Sequence, residues 1–186
     1  MIVNIRWKKW LEYVGVMLFA FHCSLFIVSC SDDEEEANEF DNWVEQNDAV
    51  ISQWASSNSY QKFKSYTKDV NAAGKTSDYI YVQVIESGTG TESPLFSDTI
   101  RVAYRLRYIP TKSYPEGYLV GETYTGEFSW NTISISDLSL DYSLIDGFDT
   151  ALMNMHIGDR WIVNIPYTLA YGNPSVRTDI LSGSNL

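Results

Sequence analysis

Apolar positions along this chain follow three different rhythms. Phe40, Trp43, Val44, Asn47, Ile51 and Trp54 fall mostly three and four apart, the spacing of one helix face. Ser56-Ser57-Asn58-Ser59 interrupts that rhythm. A second short helical piece is expected around Tyr60, Phe63 and Tyr66, so that residues 39–70 read as helical. The default role for this face is packing on its own domain, the alternative a partner. Asn71 to Ser77 is a small polar linker containing Gly74. Beyond it the period drops to two. Tyr79 to Ile85 is rich in β-branched and aromatic residues and ends at Ser87-Gly88-Thr89-Gly90. Thr99 to Tyr108 alternates, with Ile100, Val102, Tyr104, Leu106 and Tyr108 on one face. Its other face carries Arg101, Arg105 and Arg107, as a solvated sheet face does. Asp146 to Met155 predicts a short helix, and Trp161 to Ile165 a strand stopped by Pro166. No internal repeat is visible. The class is α+β: mostly antiparallel sheet with a helix laid on it.

The start of the chain has its own pattern. Arg6, Lys8 and Lys9 precede an apolar run from Tyr13 to Val28. A basic segment followed by a short apolar one is a secretory signal pattern. A membrane anchor is the competing reading, but the run falls short of the roughly 18–20 apolar residues that span a bilayer. Ile27-Val28-Ser29-Cys30 resembles a lipobox, so residues 1–29 are expected to be a lipoprotein signal peptide. Cys30 would then be the first mature residue and carry lipid, palmitate among its acyl chains. Residues 30–38 form an acidic tether through Ser31-Asp32-Asp33-Glu34-Glu35-Glu36, whose like charges repel and stay hydrated. The tract also resembles the acidic export signal of some Gram-negative surface lipoproteins; a plain spacer is the alternative. The expected location is the cell envelope, lipid-anchored to the outer membrane on its periplasmic or surface face.

Composition narrows the functions. The 186 residues carry a formal charge of −11, which excludes a nucleic-acid partner of the usual basic kind. Hydrophobic residues make up 45% and aromatics 15%, enough for one core. The two cysteines are Cys23, inside the expected signal peptide, and Cys30. The mature chain therefore has no thiol for a disulfide, zinc site or nucleophile. No metal and no cofactor is expected.

Three strings, in order, resemble the FKBP-type peptidyl-prolyl isomerases. They are Val102-Ala103-Tyr104; Asp146-Gly147-Phe148-Asp149-Thr150-Ala151-Leu152-Met153-Asn154-Met155 with Ile157-Gly158-Asp159-Arg160; and Ile165-Pro166-Tyr167-Thr168-Leu169-Ala170-Tyr171-Gly172. The resemblance covers residues 79–186, after a helical segment and linker at 39–75. It implies a curved antiparallel sheet wrapped on a short helix. It also implies catalysis of cis–trans exchange in proline-containing polypeptides, here assisting exported proteins to fold. The physics needs no acid–base pair. The barrier to rotation, roughly 18–20 kcal/mol, comes from amide resonance. A twisted amide has lost that resonance and its charge separation, so an apolar pocket favours it over the planar form. By the same resemblance Tyr104 forms one wall, and Leu144 and Ile145 line the entrance. The Ile145 N–H holds a substrate carbonyl, Phe148 is the floor, Tyr171 donates its hydroxyl, and Val120 and Ile180 bind substrate. His156 sits at a helix end, where a cation suits the dipole. Asp146, Asp149 and Asp159 read as cap or turn residues.

Two departures stand out. Where the family has G-x-x-F-D, this chain has Gly117-Tyr118-Leu119-Val120-Gly121. The wall is smaller and the pocket acceptor is gone, which implies a wider pocket and weaker turnover. A proline-peptide or unfolded-chain binding module, chaperone-like, is the alternative to an enzyme; a lipoprotein retaining only the fold is a third reading. The family also continues past the segment aligned with Ile180 to Leu186 into a final apolar strand. The sequence stops at Leu186, so a C-terminally truncated domain without its last strand is expected, poorly soluble or in need of a partner strand. The loop from Pro110 to Thr125 is long and aromatic, suiting a substrate-facing flap or a cover for the sheet edge.

Overall fold

The structure is a computed structural model that describes residues 38–186. The expected signal peptide, Cys30 and most of the acidic tether lie outside the described residues. Glu39–Leu186 clusters as one compact unit. Among the described residues no helix is long and apolar enough to cross a membrane.

Helix α1 runs Trp43–Ser56 and buries Trp43, Asn47, Ile51 and Trp54. These are the three-and-four-spaced positions of the sequence, and the residues they meet belong to the same unit. Trp43 lies edge-on to Tyr108 at 6.3 Å, and Trp54 packs on Tyr81 at 5.9 Å. The second helical piece expected at Tyr60 to Tyr66 is not there. Gln61–Lys64 is instead strand β1. Its register opposite β2 (Tyr79–Glu86) pairs Phe63 with Ile80. Three aromatics at spacing three mimic a helix face, yet the segment is too short to nucleate one, and an available strand edge captures it. The Phe63 ring stacks on Trp161 at 5.6 Å.

Strand β2 is central, between β1 and β7 (Arg160–Asn164), all antiparallel. Its Ile80, Tyr81 and Val82 are fully buried in succession, as in a strand covered on both faces. The expected strand Thr99 to Tyr108 is two. β3 (Thr99–Val102) pairs with β6 (Ser136–Ser139), while β4 (Arg105–Arg107) pairs with β5 (Leu119–Glu122). The break falls at Ala103-Tyr104. Arg105 and Arg107 also correct the picture of a freely solvated face. Arg105 binds the Glu122 carboxylate at 2.9 Å and the Tyr124 and Gly126 carbonyls, and Arg107 donates to the Gly117 carbonyl. They tie the following loops down.

Helix α2 (Asp146–Leu152) packs on β1 and β2. A Cβ at Gly147 would sit 2.3 Å from Ile165 Cγ2, so the glycine is what lets the helix approach. Gly158 turns the chain into β7 at φ +90, with the Gly88 Cα 3.0 Å from where its side chain would start. Asp159 is the expected turn residue, accepting from the Gly88 and His156 N–H groups at 2.7 and 2.8 Å.

Residues 183–186 are buried against α1. Asn185 donates its backbone N–H to Asn47 Oδ1 and its amide to the Asn47 carbonyl, both at 2.8 Å. Its own Oδ1 accepts from Tyr167 N–H at 2.9 Å. Trp43 Nε1 donates to Ser184 Oγ at 2.8 Å. Leu186 and Ile165 exchange both backbone bonds, at 2.6 and 2.9 Å, extending the β7 edge by one pair. No further strand lies beside β7 among the described residues.

Candidate functional site

Tyr104 occupies the break between β3 and β4. Thr123 holds its backbone on both sides, receiving at Oγ1 the Tyr104 N–H at 2.9 Å and donating its own N–H to the Tyr104 carbonyl at 3.0 Å. With the main chain anchored, the ring meets Phe148 edge to face, centroids 5.3 Å apart at 65°. Such a pair contributes about 0.5–1.5 kcal/mol beyond its burial. Phe148 rides on the first turn of α2, placed there by the Gly147 approach. Ile145 precedes the helix in extended backbone at φ −74, ψ 139, and accepts from the Phe148 N–H at 2.9 Å. Its own N–H takes no hydrogen bond among the described residues. Leu144 is half-buried beside it.

Val120 lies at an irregularity. The β4–β5 register runs Leu106 opposite Gly121 and Arg107 opposite Leu119, so Val120 is an extra residue on β5. A bulge re-aims a side chain and sharpens local twist. Val120 is half-buried against the core. At Gly121 an added side chain would meet nothing within 4 Å, so the glycine leaves open space.

Tyr171 and Ile180 belong to the next segment. The Tyr171 ring has Arg177 above it, the guanidinium carbon 5.4 Å from the centroid. Arg177 also forks onto Asp179, with Nε at 2.9 Å from Oδ1, and this bond holds the Asp179 carboxyl below its usual range. Tyr171 makes no ring contact with Tyr104 or Phe148. Ile180 is buried and lines an outer cleft with Tyr108 and Tyr118. The structure thus brings Tyr104, Phe148 and Ile145 together directly, and sets Tyr171 and Ile180 on the neighbouring loop.

One feature of the site escaped sequence reasoning. Asp149, read there as a cap or turn residue, is fully buried on α2, and neither carboxylate oxygen has a hydrogen-bond partner. Burial, and then the charges of Asp141 and Asp146, push its carboxyl up to about 6. Tyr66 lies beside it and opposes the shift only weakly, because its hydroxyl forms no well-made bond. Burial, and then the charges of Asp149 and Asp146, push that phenol up to about 12. Trp161 Nε1 is a fourth buried polar atom without a hydrogen-bond partner among the described residues. An aspartate one position beyond Phe148 carries no sequence mark of burial; its place on the helix face becomes clear only once α2 is docked.

A sequence model described as FKBP-type peptidyl-prolyl cis-trans isomerase matches residues 90–186. Among solved structures the chain resembles FkpA from Escherichia coli, with a TM-score of 0.55 and 20% identity over 98% of this chain and 69% of that one. It also resembles a peptidyl-prolyl cis-trans isomerase from Pseudomonas syringae pv. tomato, with a TM-score of 0.49 and 15% identity over 80% of this chain and 89% of that one. At such identity the first likeness speaks for the fold alone. No curated protein matches the sequence.

Proposed function

The chain belongs to the FKBP-type peptidyl-prolyl cis-trans isomerase family, and from that premise we propose that it turns over Xaa-Pro bonds of exported polypeptides at the cell envelope. The observation that carries this reading is the Tyr104–Phe148 edge-to-face pair beside the Ile145 N–H. The two rings offer the apolar surface that a twisted imide prefers. The adjoining N–H is a donor for the substrate carbonyl, and a fixed donor costs no reorganisation when the amide rotates. Tyr171 adds a second donor from the neighbouring loop. All chemistry is in the differential solvation of planar and twisted amide.

The envelope role rests on residues 1–36: a basic start, an apolar run, Cys30 and an acidic tract. Lipid on Cys30 anchors the domain to the outer membrane. Replacing Cys30→Ser should move the protein from the membrane fraction to the soluble one.

The direct test is isomerisation of a proline tetrapeptide. The wild type should accelerate it, and Phe148→Ala should lower kcat/KM by about tenfold or more, since the lost ring both shapes and dries the pocket. A wild type without activity that still binds the peptide would favour the second reading, a binding module. Val120 and Gly121 are the observation behind that alternative, because neither supplies the wall or the acceptor of the family pattern.

A further inference from the structure

The outer cleft at Ile180 lies apart from the Tyr104–Phe148 pair and has a built character of its own. Its volume is about 530 Å³. Rings run from the core to the surface in unbroken contact: Phe40 to Trp43 at 5.1 Å, Trp43 to Tyr108 at 6.3 Å, Tyr108 to Tyr118 at 5.7 Å and Tyr118 to Tyr114 at 5.1 Å. The last two are the outermost, Tyr114 41% and Tyr118 46% exposed. Exposed tyrosines on a slack loop would mean little, but these are held. The Tyr114 N–H donates to Thr111 Oγ1, and its carbonyl accepts from the Thr111 and Gly117 N–H groups. Ser113 N–H donates to Glu39 at 2.9 Å, and the Tyr108 hydroxyl accepts the Leu181 N–H at 2.8 Å. The rings are therefore ordered before any ligand arrives, which removes much of the entropy cost of binding.

The chemistry of the rim selects the occupant. Asp179 is bonded to Arg177, and Glu116 lies 3.6 Å from Arg107. With those charges paired, the surface on offer is aromatic faces and tyrosine hydroxyls. Such a surface suits proline rings in an extended polypeptide, which stack on aromatics and leave their carbonyls free to accept. Segments that line the cleft also reach the proposed pocket. Tyr104, against Phe148, and Tyr108, in the cleft wall, flank the three residues of β4. Arg177, above Tyr171, reaches to Asp179 in the cleft wall.

We infer that this cleft is a second subsite for the client polypeptide, binding a proline-bearing stretch to one side of the bond in the pocket. The inference rests on the isomerase reading of the pocket. It makes the long aromatic loop a client-facing element rather than a cover for the sheet edge. Clients that fill both places are held longer than short peptides.

Two probes separate the cleft from the pocket. One is a tetrapeptide with a single central Xaa-Pro bond, which reaches the pocket alone. The other is a fluorescein-labelled dodecapeptide with the same core and a Pro-Pro-Xaa-Pro run, placed on either side in two versions. The wild type should bind one version at least tenfold more tightly than the tetrapeptide. Tyr114→Ala with Tyr118→Ala should remove that gain and leave tetrapeptide turnover unchanged. Thr178→Trp, which fills the cleft mouth from an exposed position without deleting a packed ring, should do the same. Equal binding of both dodecapeptides by wild type and Thr178→Trp overturns the subsite, as does a wild type that gains nothing from the longer peptide. Failure of tetrapeptide turnover in the wild type would count against the isomerase reading, while the anisotropy comparison would still decide the cleft.

Discussion

The seam between α1 and residues 183–186 and the buried side of α2 solve the same problem in opposite ways. Both bury polar groups completely. At the seam, Asn47 and Asn185 make two bonds with each other, Asn47 donates to the Trp43 carbonyl, Asn185 accepts from the Tyr167 N–H, and Trp43 reaches Ser184. Around α2, both carboxylate oxygens of Asp149 and the Tyr66 hydroxyl are buried with no hydrogen-bond partner. A paired buried amide contributes specificity at little net cost, whereas an unpaired carboxylate carries its full desolvation penalty. The seam is architecture that joins chain positions about 140 residues apart. The α2 side is less well satisfied, and it adjoins Phe148, the proposed pocket floor. Unpartnered groups and bulges gather where function competes with stability.

The sharpest way to break the comparison is at the seam. Asn47→Ala removes the acceptor of Asn185 N–H and the donor to the Trp43 carbonyl. A buried backbone N–H is left unpaired, so unfolding free energy should fall by about 3 kcal/mol. Urea denaturation measures it; a loss below about 1 kcal/mol would show that the seam is not cooperative with the rest.

On the other side the expected change has the opposite sign and depends on pH. Asp149 titrates near 6 in the fold against 3.8 in the unfolded chain. Its folded state favours the proton, so the contribution is fully present below about 4 and is lost as pH rises through about 6. Asp149→Asn should therefore leave stability nearly unchanged at the acid end and raise it by about 2 kcal/mol at pH 8. Loss of stability at every pH would mean that the carboxylate has a native partner.

The smallest expected effect concerns the wall of the pocket. Val120→Phe with Gly121→Asp refills the bulge and places an acceptor in open space. Isomerase activity should rise several-fold, about 1 kcal/mol in the barrier. Unchanged kcat/KM would show that these positions are not the pocket wall and acceptor.

Much of this molecule was legible in its residue order. The face Trp43, Asn47, Ile51, Trp54 states its own helix, because burial on one side imposes a period the sequence must keep, and the run from Tyr79 states the central strand by its β-branched and aromatic composition. The strings around Asp146-Gly147-Phe148 and Ile165-Pro166 identified the family, since close approach at Gly147 leaves few substitutes. Other features depended on partners distant in sequence. Phe63 became a strand residue because β2 and Trp161 were there to receive it. Arg105 and Arg107 became loop ties because Glu122 and the 117–126 carbonyls came within reach. Asp149 lost its water when α2 docked, and Tyr108, Tyr114 and Tyr118 became one cleft only when their loop closed on Phe40 and Ile180. Periodicity records which side of an element is dry. Which groups meet there, and which of them are left unpaired, is set by contacts between segments the chain order keeps apart.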